Sequence, residues 1–94
     1  MTEIELQSQV LQYLKIKKVF HWRQNNLAVK GRAFNGLKGV SDILALHDGI
    51  FFAIEIKTPD GIQSQDQVQF EFNIDINGGR YLIIRDLKDI QKIF

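Results

Sequence analysis

The chain has 94 residues, of which 45% are hydrophobic, 24% are charged and none is cysteine, and its formal net charge is +1. This length predicts one small domain over residues 1–94, and the lack of cysteine excludes disulfide bonds and thiolate zinc sites. No apolar run approaches the roughly 18 residues of a membrane span, and the opening residues lack the basic and apolar regions of a signal peptide. We therefore expect a soluble, cytoplasmic protein.

The charge is unevenly distributed along the chain. No acidic residue lies between Leu6 and Ser41, whereas seven of the twelve basic residues do: Lys15, Lys17, Lys18, Arg23, Lys30, Arg32 and Lys38. A basic segment of this kind indicates a polyanionic partner such as nucleic acid. The three lysines nearest the start of the segment are equally typical of a solvated helix face.

The first predicted element is a helix that begins after the N-cap Thr2 and runs to about Ile16, with Glu5 completing a capping box. Its apolar stripe consists of six residues at helical spacing: Ile4, Leu6, Val10, Leu11, Tyr13 and Leu14. Glu3 falls near the middle of this stripe, where a carboxylate is costly unless it is paired or bound to a cation. Alternatively, Glu3 turns to water and its charge favours the helix N-terminus.

A strand and a long basic loop follow. Val19–Gln24 has the aromatic and β-branched residues of a strand, with Phe20 and Trp22 on one face. Asn25–Lys38 then reads as a loop, and loops of that length are usually functional or disordered. We expect three of its side chains to grip a phosphate backbone: Lys30, Arg32 and Lys38.

The segment from Gly39 to Lys57 is the centre of the sequence. Asp48-Gly49 lies between two apolar runs and predicts a β-hairpin with a type I′ turn. The register of that turn places Asp42 opposite Glu55, with Lys57 two residues further along on the same face. Like charges directly opposed in a sheet are destabilising. A positive group is therefore expected between the two carboxylates, and a divalent cation is the simplest one.

The next helix begins after the N-cap Ser64, has Gln67 in a capping box, and runs to about Ile76. A turn at 58–61 precedes it. The helix has two apolar stripes, and only one of them can pack on the sheet. We expect Phe70 and Ile74 to do so, which leaves the other stripe for a further element or a partner chain: Val68, Phe72 and Ile76.

A strand over 80–85 and a short helix over 87–94 complete an αβββαβα order. A hairpin followed by a strand–helix–strand crossover predicts an α/β fold, with a mixed sheet that has helices on its faces.

Asp42, Glu55 and Lys57 suit the hydrolysis of a phosphodiester bond as a set. Mg²⁺ prefers oxygen ligands, which the two carboxylates and the Ile56 backbone carbonyl can supply. Lys57 can orient the attacking water or stabilise developing negative charge. Glu3 could complete the acidic set from the first helix. The alternative is that the cluster is a structural salt-bridge network.

These residues resemble a known family. Asp42, followed thirteen residues later by Glu55-Ile56-Lys57, resembles the D…(D/E)xK signature of the restriction-endonuclease-like, PD-(D/E)XK superfamily. Five stretches together resemble the virus-type replication–repair nuclease (VRR-NUC) family: Glu3-Ile4-Glu5-Leu6-Gln7, Trp22-Arg23-Gln24-Asn25, Gly39-Val40-Ser41-Asp42-Ile43, Glu55-Ile56-Lys57-Thr58 and Ser64-Gln65-Asp66-Gln67-Val68-Gln69-Phe70. The resemblance covers essentially the whole chain. One departure is Ser41, where the family commonly has proline.

The resemblance implies an αβββαβ nuclease core and a Mg²⁺- or Mn²⁺-dependent endonuclease that acts on branched, flapped or junction DNA, as in phage proteins and repair nucleases. It implies that Asp42, Glu55 and the Ile56 carbonyl bind the metal and that Lys57 is the catalytic lysine. Glu3 would be an accessory acid, possibly bound to the metal through water, and Gln67 an active-site residue.

Arg23 would contact DNA together with the loop cations, and a homodimer is expected. The alternatives are a non-catalytic DNA-binding module and a nuclease subunit of a larger complex.

Overall fold

The computed structural model describes residues 1–24 and 36–94. Its elements are α1 (Glu3–Ile16), β1 (Phe20–Arg23), β2 (Ile43–His47), β3 (Ile50–Ile56), α2 (Gln65–Ile76), β4 (Arg80–Ile84) and α3 (Leu87–Gln91). The strands form one sheet in the order β1-β2-β3-β4. The first two pairs are antiparallel and β3 pairs with β4 in parallel. The predicted αβββαβα order and mixed sheet are therefore confirmed.

The hairpin between β2 and β3 has the predicted turn and register. Asp48 and Gly49 both have positive φ, 51° and 78°, as a type I′ turn requires. His47 pairs with Ile50, and the ladder continues to the pair Ile43 and Ile54. It ends one step before Asp42 and Glu55, so Asp42 lies just beyond the end of β2.

Helices cover both faces of the sheet. On one face, α1 and α3 pack over the larger core, whose fully buried members include Val10, Leu14, Ile43, Ile54 and Ile90. On the other face, Phe70 of α2 packs against Leu44 and Ala53, with Ile74 beside them. Residues directly opposite in a sheet share a face, and β3 is buried from Phe52 to Ile56 because it lies between two strands and two helical layers.

Several predicted details differ from the structure. Ile4 was expected on the buried stripe of α1 but is 80% exposed, because the buried stripe is narrower, with Leu6, Val10 and Leu14 as its buried members, and Ile4 lies away from it around the helix. The Thr2 side chain caps α1 by accepting from the Glu5 N–H, but its hydroxyl also donates to the Glu5 carboxylate, in place of the predicted return bond to the backbone. The first strand is one residue shorter at each end than predicted. The last helix stops at Gln91, although Phe94 still packs on the core.

No helix in residues 1–24 or 36–94 combines the length and the apolar character needed to cross a membrane.

Candidate active site

The ends of β2 and β3 bring acidic and basic side chains together on the α2 side of the sheet. Glu55 is buried, with 2% of its surface exposed. Its Oε2 atom lies 3.8 Å from Lys57 Nζ and accepts a hydrogen bond of 3.2 Å from Gln67 Nε2. The structure therefore brings together Glu55 of β3, Lys57 just after β3 and Gln67 in the first turn of α2.

Asp42 is held against both neighbouring strands. Its Oδ2 atom accepts a hydrogen bond of 2.9 Å from the Ile56 N–H, and its backbone carbonyl accepts one of 2.8 Å from the Gln24 N–H. The Asp42 carboxylate thus accepts from the Ile56 N–H of β3 at the point where the backbone pairing of β2 has ended. Because the N–H and C=O of one strand residue point to the same neighbour, the Ile56 carbonyl is also directed to the Asp42 side.

The two carboxyl groups of the site are strongly coupled. Burial, and after it the charge of Asp42, raise the pKa of Glu55 from 4.5 to about 8. Lys57 lowers the pKa of Glu55, whereas the charge of Glu3 raises it. One lysine therefore does not compensate for the burial of Glu55 beside a second acid, and the site lacks positive charge.

The residues present fit a divalent cation. Oε1 of Glu55 is buried and has no hydrogen-bond partner among the described residues. A buried carboxylate oxygen without a partner is costly, and a cation between Asp42 and Glu55 would remove both this cost and the repulsion. Hard oxygen donors of this kind suit Mg²⁺ or Mn²⁺.

Glu3 lies at the edge of this site. It is exposed at the start of α1, and its charge contributes to the raised pKa of Glu55. In residues 1–24 and 36–94, no group of three or more His, Cys, Asp or Glu side chains is arranged to hold a metal ion. The direct donor set that the geometry offers is therefore two carboxylates and one carbonyl, with Glu3 as an outer charge.

Gln67 has two roles in one side chain. Its Oε1 atom accepts from the Ser64 N–H at 2.9 Å, which closes the predicted capping box, while its Nε2 atom donates to Glu55. The capping bond orients the amide, so the donor end points at the acid. The predicted capping bond is therefore confirmed, and the same side chain also contacts the buried acid.

Gly39 sets the distance between this helix and the site. Its φ is +75°, and a Cβ atom there would overlap the Asp66 carbonyl and come within 2.8 Å of the Gln67 backbone nitrogen. The absence of a side chain lets the backbone before Asp42 contact the first turn of α2 directly. This contact keeps Gln67 close to Glu55.

Two concave surfaces flank the carboxylates. A groove of about 440 Å³ lies on the Asp42 side, lined by Lys38, Gly39, Ser64 and Gln67 among others. A smaller cavity of about 210 Å³ lies on the Lys57 side, between the start of α1 and the turn after β3. Glu3 lines this second cavity together with Lys57.

The four residues expected to bind DNA have different positions. Lys38 is exposed and lines the groove beside Asp42. Arg23 is exposed but pairs with Ile43, which places it on the sheet face opposite to Leu44 and the acids. Lys30 and Arg32 lie outside the described residues.

Arg85 is a site-supporting residue that sequence reasoning did not find. Its Nη1 atom donates to the carbonyl oxygens of Thr58, Pro59 and Gly61 at 2.7, 3.2 and 2.8 Å. The guanidinium thereby fixes the turn that follows Lys57. An arginine after an apolar strand has no local signal for this role, because its partners are more than twenty residues away.

A polar network behind Glu55 was also missed. Gln63 Nε2 donates to Glu71 Oε1 at 3.1 Å and to the Tyr81 hydroxyl at 3.2 Å. Burial raises the pKa of Tyr81 to about 12, Gln63 lowers it, and the charge of Glu55 raises it. Tyr81 is therefore a neutral neighbour of the buried acid.

The fold has a known counterpart. A solved structure described as "VRR_NUC domain" matches 97% of this chain and 91% of its own, with a TM-score of 0.71 and 16% sequence identity. No family model and no curated protein matches the chain. At this identity the likeness is one of fold, and it agrees with the expected restriction-endonuclease-like arrangement of a mixed four-stranded sheet between helices. The chain therefore has the fold of a VRR_NUC domain.

Proposed function

We propose that the protein is a metal-dependent nuclease that hydrolyses phosphodiester bonds in DNA. The observation that carries the proposal is the buried Glu55, whose Oε1 atom lacks a partner while Asp42 and Lys57 stand beside it. A purely structural salt-bridge network would leave no buried carboxylate oxygen unsatisfied. A buried acid with a strongly raised pKa, next to a second acid, is typical of a functional site.

Asp42, Glu55 and the Ile56 carbonyl would hold Mg²⁺ or Mn²⁺. When bound, the ion supplies neutralisation of phosphate charge and a more acidic water. Gln67 keeps Oε2 of Glu55 in place, which leaves Oε1 directed away from that hydrogen bond. The Ile56 N–H keeps Asp42 in place in the same way.

Lys57 is proposed to act on the phosphate and the attacking water. Its side chain is mostly buried and its Nζ lies 3.8 Å from Glu55 Oε2, so the ammonium group is held at the carboxylates. From there it orients the water and stabilises the negative charge that develops on the phosphate oxygens. Glu3 is proposed as an accessory acid whose charge adds to the attraction of the site for a cation.

DNA would approach through the groove beside Asp42. Lys38 lines this groove, and it belongs to the acid-free segment from Leu6 to Ser41. We assign phosphate contacts to Lys38, Lys30 and Arg32, and a peripheral contact on the other sheet face to Arg23. The proposed substrate is branched or junction DNA, as in nucleases of phage or repair type.

A homodimer is the proposed assembly. Val68, Phe72 and Ile76 form the outer stripe of α2 and are 51%, 55% and 63% exposed. A two-fold contact through this stripe would bury it and give two active sites for the two strands of a junction.

A cleavage panel tests the function. Four-way junction, flap, single-stranded and duplex DNA are incubated with Mg²⁺, with Mn²⁺ and with a chelator. We expect cleavage only with metal, with preference for the branched forms. Metal-independent binding without cleavage of any form would instead favour a DNA-binding module or a subunit that needs another protein.

The variant Lys57→Ala is the sharpest test of the mechanism. Loss of a group that orients water and stabilises charge should slow cleavage by about 10²- to 10⁴-fold, whereas Lys92→Ala, on the exposed end of α3, should leave the rate unchanged. Cleavage by Lys57→Ala at the wild-type rate would contradict the assignment.

A further inference from the structure

The outer face of β1 carries two aromatic side chains that the proposed chemistry does not use. Phe20 is 67% exposed and Trp22 is 38% exposed, and their ring centroids lie 5.6 Å apart. Phe20 is opposite Leu46, which is itself 47% exposed. Exposed apolar residues that lie next to one another, and not singly, are typical of an interaction site. We call Phe20, Trp22 and Leu46 the aromatic strip.

The aromatic strip leads to the candidate active site. Trp22 is opposite Leu44, which packs under α2, so the strip lies on the same sheet face as that helix. Asp42 lies two residues before Leu44 and therefore belongs to this face as well. The strand carrying Trp22 continues to Gln24, whose N–H is bound to the Asp42 carbonyl.

The other end of the strip is positively charged. Lys15, Lys17 and Lys18 are exposed at the end of α1, immediately before β1. Within residues 1–24 and 36–94, the salt bridges are those of Lys57 with Glu55 and of His47 with Asp48, so these three lysines have no acidic partner there. Lys18, two residues before Phe20, therefore brings an unneutralised cation to one end of the strip, and the other end leads to the acids of the site.

Lys18 occupies a position where glycine is preferred. Its φ is 59°, and it directly follows the C-cap of α1. Two backbone hydrogen bonds close the end of this helix: the Val19 N–H donates to the Leu14 carbonyl, and the Lys18 N–H donates to the Lys15 carbonyl. This is the Schellman arrangement, in which a left-handed residue other than glycine is strained. Strain that persists at one residue points to a use for its side chain.

We propose that the aromatic strip is a platform on which unpaired nucleotides of the DNA substrate stack, while the lysines at the end of α1 contact their phosphates. The inference rests on the proposed function and names its substrate more closely: a branched DNA with a single-stranded segment next to the bond that is cut. Stacking accepts every base, because each base has a π face, so the platform selects for unpaired structure and not for sequence.

Intrinsic fluorescence tests the platform directly, because Trp22 is the single tryptophan of the chain. The protein is titrated in a metal chelator with an oligothymidylate of about 12 nucleotides, a length within the site sizes of single-strand binding proteins. We expect quenching of Trp22 on binding. A blunt duplex of the same length, whose bases are already stacked, should quench it much less.

Phe20 variants separate stacking from general binding. Phe20→Ala should weaken oligothymidylate binding by about 5- to 150-fold, the range for loss of one stacked base, and Phe20→Tyr should restore most of it. Ile62→Ala serves as a control, since it removes an apolar side chain that is 84% exposed outside the strip. Its affinity should match the wild type.

Lys18→Gly tests the phosphate contact with opposite effects on two measurements. It should raise the temperature of unfolding, because the strain is relieved, and yet lower the slope of log affinity against log salt by about 0.7 for a single strand. Lys92→Ala removes one exposed charge at the end of α3, which is not assigned to a DNA contact, and should leave that slope unchanged.

Three results would overturn the inference. The first is unchanged Trp22 fluorescence while the protein still cuts branched DNA, which leaves the nuclease proposal intact. The second is unchanged oligonucleotide affinity in Phe20→Ala. The third is a change of molecular mass in Phe20→Ala by light scattering, which would assign the strip to a contact between copies of the chain. Quenching without cleavage of any DNA would support the platform and contradict the nuclease.

Discussion

Glu55 experiences opposing electrostatic effects whose balance is visible in its pKa. Lys57 lies 3.8 Å away and stabilises the charged form, while burial and the Asp42 carboxyl destabilise it. The pKa of Glu55 is raised to about 8, so the unfavourable effects are larger than the ion pair. This is the general behaviour of buried acids, for which desolvation exceeds the attraction of one partner.

The stability of the metal-free protein should therefore depend on pH through Glu55. The folded state keeps a proton on Glu55 up to about pH 8, whereas the unfolded state loses it near 4.5. The contribution of Glu55 to stability is then complete below about 4.5 and is lost as the pH rises through about 8. Urea unfolding in a chelator at about pH 5 and about pH 8.5 measures the difference in the free energy of unfolding.

Glu55→Gln is the control for that measurement. The amide cannot ionise, so the variant should lack this part of the pH dependence and be more stable than the wild type by about 1–3 kcal/mol at the higher pH. Addition of Mg²⁺ or Mn²⁺ should stabilise the wild type there by mass action and should stabilise Glu55→Gln much less. Equal pH profiles for the two proteins would contradict the raised pKa.

Gly39 and Gly49 form a matched pair for testing the contact at the start of α2. Both have a positive φ, +75° and +78°. A Cβ atom added at Gly39 would overlap Asp66 and Gln67, whereas a Cβ atom added at Gly49 would have no neighbour within 4 Å. Gly49→Ala should cost about 1–2 kcal/mol for backbone strain, and Gly39→Ala a further 1–3 kcal/mol (roughly) for the overlap.

Gly39→Ala should also move Gln67 away from Glu55, so DNA cleavage should fall in this variant and not in Gly49→Ala. Urea unfolding and a cleavage assay on the same preparations measure both effects. Equal stability of the two variants would show that the contact between Gly39 and α2 is unimportant.

At the scale of the elements, the end of α1 is less stable than it could be. Lys18 has a φ of 59° at the residue after the C-cap, and glycine at that position avoids a cost of about 1 kcal/mol. Lys18→Gly should raise the free energy of unfolding by about that amount. Lys92→Gly, where φ is −74°, should not stabilise the protein. Thermal or urea unfolding distinguishes the two lysines.

The turn after β3 is held by Arg85, which follows β4. Arg85 donates to three carbonyl oxygens of this turn, and hydrogen bonds from a charged donor contribute about 1.5–3 kcal/mol. Arg85→Met should lower the free energy of unfolding by about that amount and should reduce cleavage, since Lys57 adjoins the turn. Arg23→Met, at an exposed arginine of β1, should change stability by less than about 0.5 kcal/mol. A similar loss in both variants would contradict the role of Arg85.

In the molecule as a whole, the two sides of α2 have different surroundings. Phe70 packs on the sheet, whereas Phe72, two positions along, is 55% exposed. If the outer stripe forms the two-fold contact, light scattering at micromolar protein should give a dimer, and Phe72→Asp should give a folded monomer, because a buried unpaired charge is strongly unfavourable. Gln12→Asp, on the exposed side of α1, should remain dimeric. A monomeric wild type would contradict the dimer.

Much of the fold was predictable because its signals are local. The Asp48-Gly49 turn determines the hairpin register, and a period of two then assigns each side chain of β2 and β3 to a face. The capping residues Thr2 and Ser64 mark the starts of α1 and α2. The same local rules led to Asp42, Glu55 and Lys57 as neighbours, and the capping box of Ser64 and Gln67 was likewise predictable.

The order of the elements, the register of the hairpin and the grouping of the acids are therefore readable from the amino-acid sequence, since they depend on turn chemistry and periodicity within a few residues. Four other properties emerge only in the folded chain: Ile4 is exposed, Arg23 lies on the face away from the acids, Arg85 holds the turn after Lys57, and the pKa of Glu55 is raised to about 8. Each of these depends on burial and on contacts between residues distant in the chain, and local sequence patterns carry no information about such contacts.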